Sequence, residues 1–528
     1  MRAILFGGCV AFVSLLVGLA PDNAGRCLVT LRIVDIDSGR EMPGLVRVRD
    51  AKGELIKPAE LLPRGLGLDE KESIAEWFVL PKTSAIELPA TAATVEAIAG
   101  LEHEAVRQTL ELKGYAKADV TLPLKRFSDL GANGWRSGNT HVHLMKLTRA
   151  QADRYLTEVP KADGLDAVFI SYLERVVADQ EYISNRYTRT DLAAFDRATG
   201  VRFGNGEEHR NNFDGFGEGY GHVMLLDIKE LIQPVSIGPG IMKAGTDGIP
   251  LARGIDQAIK DGATIIWCHN RWGVEATPNF LLGRVSALNI NDGGPHGSFK
   301  DSFYRLWNAG VPITYSTGTD WFIYDFSRVY ADLDGDVTIA KWLEALRGGR
   351  TFVTNGPLLR FSVNGAKPGG VTSAKAGESV MVEAVASGRT DFRRLELVRN
   401  GKVVSEAKTE PVGGHFEARI SLRVDVVGPC WLATRTPPPA VKDDPELTEK
   451  AALNEFGKEI FAHTTPVSVE VDGKRFIDPK VCRELHDEME SAMQTITKHG
   501  KFADASERER VLDVYREAIE AWGKKKRE

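Results

Sequence analysis

Two histidines, His141 and His143 in the run Gly138-Asn139-Thr140-His141-Val142-His143, have the type and spacing to hold a metal ion. On an extended strand, residues i and i+2 project from one face, so both imidazoles close on a single ion without bending the backbone. A bare HxH also occurs by chance on solvated strands, so the rest of the ligand set has to come from elsewhere in the chain. Residues of ligand type recur beside short apolar runs: Gly206-Glu207-Glu208-His209, then Gly221-His222, then Cys268-His269 after residues 264–267, then Gly318-Thr319-Asp320 after residues 312–315. Histidines and carboxylates delivered from separate strand ends are what a metal site at a barrel mouth requires.

The candidate ligands are therefore His141, His143, Glu208, His269, Asp320 and His222, the last of which precedes its strand and reads equally as a core histidine. Glu207 stands as the alternative to Glu208. Mixed histidine and carboxylate ligands suit Zn, Mn and Fe alike, and the expectation is a divalent metal, Zn or Mn. Glu208 or Asp320 would take a proton, and Arg328 or Arg271 would offset developing negative charge, although Arg328 reads equally as a surface ion pair. His209 and His296 read as loop residues, and His463 as structural.

The elements that must position these residues follow from the pattern of the chain. Residues 1–24 carry Arg2, a short apolar run and small residues before the expected cleavage point, which predicts a secretory signal peptide and an exported protein of the bacterial envelope. Period-two alternation with turns at Asp37-Ser38-Gly39 and Lys52-Gly53 predicts a β-sandwich over residues 25–130, resembling the prealbumin-like accessory domain. Over residues 131–358 short apolar strands alternate with helical stretches, which predicts an α/β unit with a parallel sheet or barrel. There Ile339, Trp342, Leu343 and Leu346 repeat at helical spacing and read as core.

Alternation returns over residues 359–475 around the Asn400-Gly401 turn, predicting an Ig-like β-sandwich. The stripes Val481, Leu485, Met489, Met493, Ile496 and Val511, Tyr515, Ile519, Trp522 predict a helical hairpin over residues 476–528, packing on the barrel or on a second subunit. Four cysteines follow the leader without regular spacing and predict no disulfide framework. With a formal net charge of −6, the chain has no electrostatic footprint for nucleic acid. No segment after the leader is apolar for long enough to span a bilayer.

The stretches 134–143, Gly206-Glu207-Glu208, Trp267-Cys268-His269 and Gly318-Thr319-Asp320 resemble, in order, motifs of the PHP (polymerase and histidinol phosphatase) superfamily of metal-dependent hydrolases. The segment Gly349-Arg350-Thr351-Phe352-Val353-Thr354-Asn355-Gly356-Pro357-Leu358-Leu359 resembles the signature of its carbaryl-hydrolase-like, CehA/McbA-type branch. The resemblance implies a distorted (β/α)7 barrel with metal at its C-terminal mouth. His141 and His143 would be first-strand ligands, Glu208 the bridging carboxylate, His269 a later ligand and Asp320 the final one. The chain departs from the family pattern at Ile170-Ser171-Tyr172-Leu173-Glu174 and Asp320-Trp321-Phe322, where imidazole ligands are missing. That predicts a reduced site of one or two ions rather than three.

The function these readings point to is hydrolysis of an ester, carbamate or phosphoester of a small-molecule or glycan-linked substrate by metal-activated water. The competing reading, from another class, is a catalytically degenerate barrel that binds an envelope glycan or protein.

Overall fold

The strand that carries the histidine pair, Trp135–His143, is buried on both faces along almost its whole length, the environment of a strand at the centre of a closed layer. The structure is a computed structural model and describes residues 25–213, 219–270, 273–293, 298–440 and 449–525. The expected leader, Arg271 and His296 lie outside the described residues.

Ala167–Tyr172 pairs in parallel with the histidine strand, and Arg202–Asn211 pairs in parallel with Ala167–Tyr172. Helices Arg149–Ala162 and Arg189–Thr199 make the crossovers, each opened by a threonine (Thr148, Thr188) that accepts from the backbone three residues on. Thr264–Trp267, Ala287–Asn289 and Thr314–Ser316 continue the sheet in parallel with one another. The short strand Asp320–Trp321 then returns to lie parallel to the histidine strand, with Val142 opposite Asp320 and His143 opposite Trp321, and so curls the sheet back on itself.

The all-parallel expectation fails at two strands. Gly221–Leu226 runs antiparallel between Arg202–Asn211 and Thr264–Trp267, and Arg328–Asp332 runs antiparallel beside the histidine strand. The first reversal explains a residue that its sequence position obscures. In a parallel unit the start of a strand lies far from the mouth, whereas the start of a reversed strand lies at it. His222 is thus brought opposite Arg210, at the carboxyl end of the strand bearing Glu208.

The sheets on either side meet this layer differently. Residues 26–124 form two sheets enclosing a core of Cys27, Val29, Leu31, Ile33, Val46, Val48 and Val95. The C-terminal strands are joined edge to edge with the curled sheet: Thr351–Thr354 pairs with Ala462–Thr464, Phe352 opposite Thr464. A boundary at residues 358/359 therefore crosses continuous hydrogen bonding. Asn400 and Gly401 both adopt positive φ, as a tight hairpin turn demands. Trp342, Leu343 and Leu346 are buried against the sheet, and His463 is buried with its Nε2 2.8 Å from the Tyr304 hydroxyl.

Helices Pro479–His499 and Ala505–Lys525 lie on the flank of the curled sheet. Tyr515 donates to the Val274 carbonyl at 2.9 Å, Thr277 donates to Glu488 at 2.6 Å, and Leu485, Met489, Ile496, Val511 and Trp522 join the central core. The apolar stripe packs on this chain's own α/β unit. Cys27, Cys268, Cys430 and Cys482 are buried as free thiols. Among the described residues no helix is long and apolar enough to cross a membrane.

Candidate metal centre

His141 and His143 leave the end of their strand on one face, and their Nε2 atoms stand 2.8 Å apart. The other ring nitrogen of each is already committed. His143 Nδ1 lies 2.9 Å from the Ser171 carbonyl, an acceptor only, so it donates there. His141 Nδ1 lies 2.7 Å from Asp292 Oδ2 and donates to that carboxylate. Each neutral ring therefore presents a lone pair at Nε2, and two lone pairs at that distance repel unless a cation, proton or metal, lies where they meet.

Carboxylates complete that meeting point. Glu208 Oε2 lies 3.0 Å from His143 Nε2 and 3.7 Å from His141 Nε2. Asp320 Oδ1 lies 3.5 Å from His141 Nε2 and 3.7 Å from His143 Nε2. Ligands about 2.0–2.1 Å from a tetrahedral ion stand about 3.3 Å from each other. The measured separations, 2.8 to 3.7 Å, straddle that value. His141, His143, Glu208 and Asp320 thus fit a first ion.

The outer oxygens of the same carboxylates face a second group. Glu208 Oε1 lies 3.5 Å from His222 Nε2, and Asp320 Oδ2 lies 3.8 Å from His269 Nε2. His269 Nδ1 donates to the Asp292 carbonyl at 2.8 Å, which leaves its Nε2 as a lone pair. His222 is different. Arg210 Nη2 lies 3.2 Å from His222 Nδ1, and a guanidinium only donates, so a neutral His222 carries its hydrogen on Nε2. The first ion position is fully prepared, whereas a second needs Arg210 to release His222.

The electrostatics agree with this division. Burial alone would depress the His141 imidazole, but the charges of Asp292 and Asp320 outweigh it and hold its pKa well above the ordinary value. Burial would raise the Glu208 carboxyl, yet the Arg210 charge and the hydrogen bonds from His141 and His143 hold it well below the usual range. The His222 pKa is pushed well below the ordinary value by burial first and then by Arg210 and His269, so the ring stays neutral. Burial raises the Cys268 thiol to about 12, which keeps it protonated beside His141.

The backbone is strained where ligands leave it. His269 (φ 48°) and Asp320 (φ 58°) both lie in the left-handed region without being glycine, a cost met at sites whose surroundings over-determine them. Gly318 supplies the clearance: a Cβ there would stand 2.5 Å from His141 Cβ and 2.8 Å from His141 N.

Strand alternation decides between the adjacent glutamates. Glu208 and Arg210 face inward, while Glu207 faces the outer layer, where its oxygens accept from His209 Nδ1 at 2.8 Å and the Ile232 amide at 2.7 Å. Arg328 is committed elsewhere. Its guanidinium donates to the carbonyls of Phe326 and Asp163 at 2.9 and 2.7 Å, at the C-terminal end of helix Arg149–Ala162. It opens the reversed strand, one residue before the Val329–Gly138 pairing, but these two carbonyls, not the ligands, hold its guanidinium.

Asp292 and Arg210 escaped sequence reasoning. Asp292 follows a strand of only three residues, Ala287–Asn289, too short to show a period, although its strand-end position was a usable signal. Arg210 was available from strand alternation, two residues beyond Glu208. Asp292→Asn is expected to weaken metal binding about 10–100-fold, because an amide no longer fixes the His141 tautomer. A competitive chelator titration measures this, and unchanged affinity would show that Asp292 does not orient His141.

No family model and no curated protein matches this chain. Among solved structures, a two-domain protein from Bacteroides vulgatus containing a predicted PHP-like metal-dependent phosphoesterase aligns over 58% of this chain and 91% of its own, with 15% identity and a TM-score of 0.33. The apo structure of β-glucuronidase 3 from Bacteroides uniformis aligns over 85% of this chain and 64% of its own, with 11% identity and a TM-score of 0.16. Both scores are too low for either likeness to carry an assignment.

Proposed function

We propose that the chain is a metal-dependent hydrolase of ester-type bonds, its substrate an ester, a carbamate or a phosphoester. The observation that carries this reading is the convergence of His141 Nε2, His143 Nε2, Glu208 Oε2 and Asp320 Oδ1, each ring tautomer set by an acceptor behind it. A divalent ion bound there, Zn or Mn, supplies Lewis-acid polarisation and lowers the pKa of a water molecule.

The chain's own groups do the rest. Asp320, with a side chain 12% exposed against 4% for Glu208, is the carboxylate that can exchange a proton with a substrate in the mouth. Glu208 stays ionised and aligns both histidines. Arg210, 3.7 Å from Glu208 Oε1, balances charge within the layer. A cleft of about 420 Å³ opens beside Asp320, lined by Gly293, Thr319, Trp321 and Tyr324 on the α/β unit and by Leu68 and Phe461 from loops of the flanking β regions. Such a volume takes a small organic group. Export to the envelope and the PHP relationship belong to this proposal, and both rest on the sequence motifs.

The test is metal analysis of the purified protein followed by chelation. The expected result is about one equivalent of transition metal, with hydrolysis of an aryl ester or phosphate lost on chelation and restored by Zn or Mn. Metal below about a tenth of an equivalent, with His141→Ala changing nothing, would instead leave the binding-module reading.

A further inference from the structure

The loop after strand Ala167–Tyr172 fixes one guanidinium through a buried carboxylate. Arg175 Nε donates to Asp179 Oδ2 at 2.8 Å and Nη2 to Asp179 Oδ1 at 3.2 Å, while Nη2 also meets the Tyr182 hydroxyl at 3.4 Å. Asp179 is itself buried and accepts from the amides of Arg175 and Val176 at 2.8 and 3.3 Å. Asn185 ties the loop closed through the Leu173 amide and carbonyl at 2.9 and 2.7 Å. With Nε and Nη2 held in a fork, the direction of Nη1 is set as well.

The guanidinium lies 5.0 Å from the centre of the Trp321 ring, a cation–π distance. Trp321 follows Asp320, packs 5.3 Å from the His143 ring and lines the 420 Å³ cleft. The Glu208 carboxylate is near enough for its charge to act on Arg175. Arg175, ion-paired with Asp179, is therefore a fixed guanidinium beside Trp321 and within the field of Glu208, outside the ligand set.

The cleft has the opposite character. Its walls include Leu68, Ile74 and Phe461, and its charged residues are Asp69, Glu72, Asp325 and Glu459 against Lys458 alone, which is paired with Glu72 at 2.5 Å. An anionic group is disfavoured there, and a neutral, largely apolar group is accommodated.

We infer that Arg175 holds a phosphoryl oxygen of the substrate while the cleft beyond Trp321 takes a neutral organic remainder, so that the substrate is a phosphomonoester of an uncharged alcohol or phenol. This rests on the hydrolase reading above and names the substrate class of the same site. A guanidinium hydrogen bond to an anionic oxygen adds both charge and direction where negative charge accumulates during phosphoryl transfer.

The experiment uses the metal-loaded full-length protein. Inorganic phosphate binding is followed by calorimetry, and turnover of an uncharged aryl phosphomonoester is compared with that of a neutral aryl carboxylic ester. Metal content is measured on every sample. Arg175→Met is expected to weaken phosphate binding about 10–100-fold and to lower kcat/KM for the phosphomonoester similarly, with metal content and neutral-ester turnover within about threefold of the original. Arg175→Lys is expected to recover part of the loss. Where the methionine variant does not fold, Arg175→Gln replaces it, since its amide can still bond Asp179. Equal losses for both esters would reduce Arg175 to a loop anchor and overturn the inference. So would unchanged phosphate affinity in the variant, or no phosphate binding by the metal-loaded original, both of which leave the hydrolase reading intact. Absence of metal uptake would overturn both.

Discussion

Glu208→Gln is expected to lower metal affinity at least about a thousandfold and to abolish hydrolysis. The Glu208 carboxylate offers Oε2 to the first ion position and Oε1 to the second group, so one substitution removes negative charge from both. At an effective dielectric near 20, two unit charges 4 Å apart interact by about 4 kcal/mol, equivalent to about a thousandfold in affinity. A divalent ion at ligand distance feels more than that, so the figure is a floor. Equilibrium dialysis and an activity assay on the same preparation measure it. Glu207→Gln is the control: its carboxylate serves His209 and the Ile232 amide in the outer layer, and its loss should lower thermal stability while leaving metal content unchanged. If the two substitutions behave alike, the assignment of Glu208 to the inner face is wrong.

The largest effect on stability is expected from Arg64. This residue belongs to the N-terminal β region, yet its guanidinium is fully buried with the Asp163 carboxylate, donating from Nε at 3.0 Å and from Nη2 at 2.5 Å. Its Nη1 donates to the Ile323 carbonyl. Arg64→Met leaves a buried carboxylate without its counter-charge, which costs about 3–5 kcal/mol. Replacing both partners by apolar residues, Arg64→Met with Asp163→Leu, should recover most of that cost, because the carboxylate left without its counter-charge is then removed as well. Thermal and denaturant unfolding of the single and double variants measure this, and a double variant no more stable than the single would show that the deficit comes from packing.

The same contact reaches the metal centre. Ile323 lies three residues beyond Asp320, in a turn where Phe322 also holds a positive φ of 56°. The Phe322 ring packs directly over Gly67, where a Cβ would overlap it, and the Tyr155 hydroxyl accepts from the Ile323 amide at 2.9 Å. Arg64 and Gly67, both in the N-terminal β region, therefore hold the turn that presents Asp320. Arg64→Met should weaken metal binding as well as stability.

The chemistry-bearing residues were legible because strand geometry is local. His141 and His143 had to share a face once their segment was extended, and the short apolar run before Cys268-His269 marked a strand end. The paired stripes of the C-terminal hairpin and the Asn400-Gly401 turn were legible for the same reason, since each depends on a period of a few residues. What the chain could not display alone was direction and partnership. Whether Gly221–Leu226 runs with or against its neighbours depends on pairing with distant strands, and that reversal brings His222 to the mouth. The choice between Glu207 and Glu208 turns on which face of one strand meets the interior, and adjacent residues of the same type carry no trace of it. Arg328 lies near Asp320 in sequence, but the carbonyls of Phe326 and Asp163 take its guanidinium, whereas Asp292 and Arg175 gain their roles from contacts with His141 and Trp321, far away in the chain. Sequence by itself determined which residues can bind metal, because side-chain chemistry and strand period are local properties. Only the tertiary structure decided which of them meet, because burial, tautomer and charge balance are set by what packs against them.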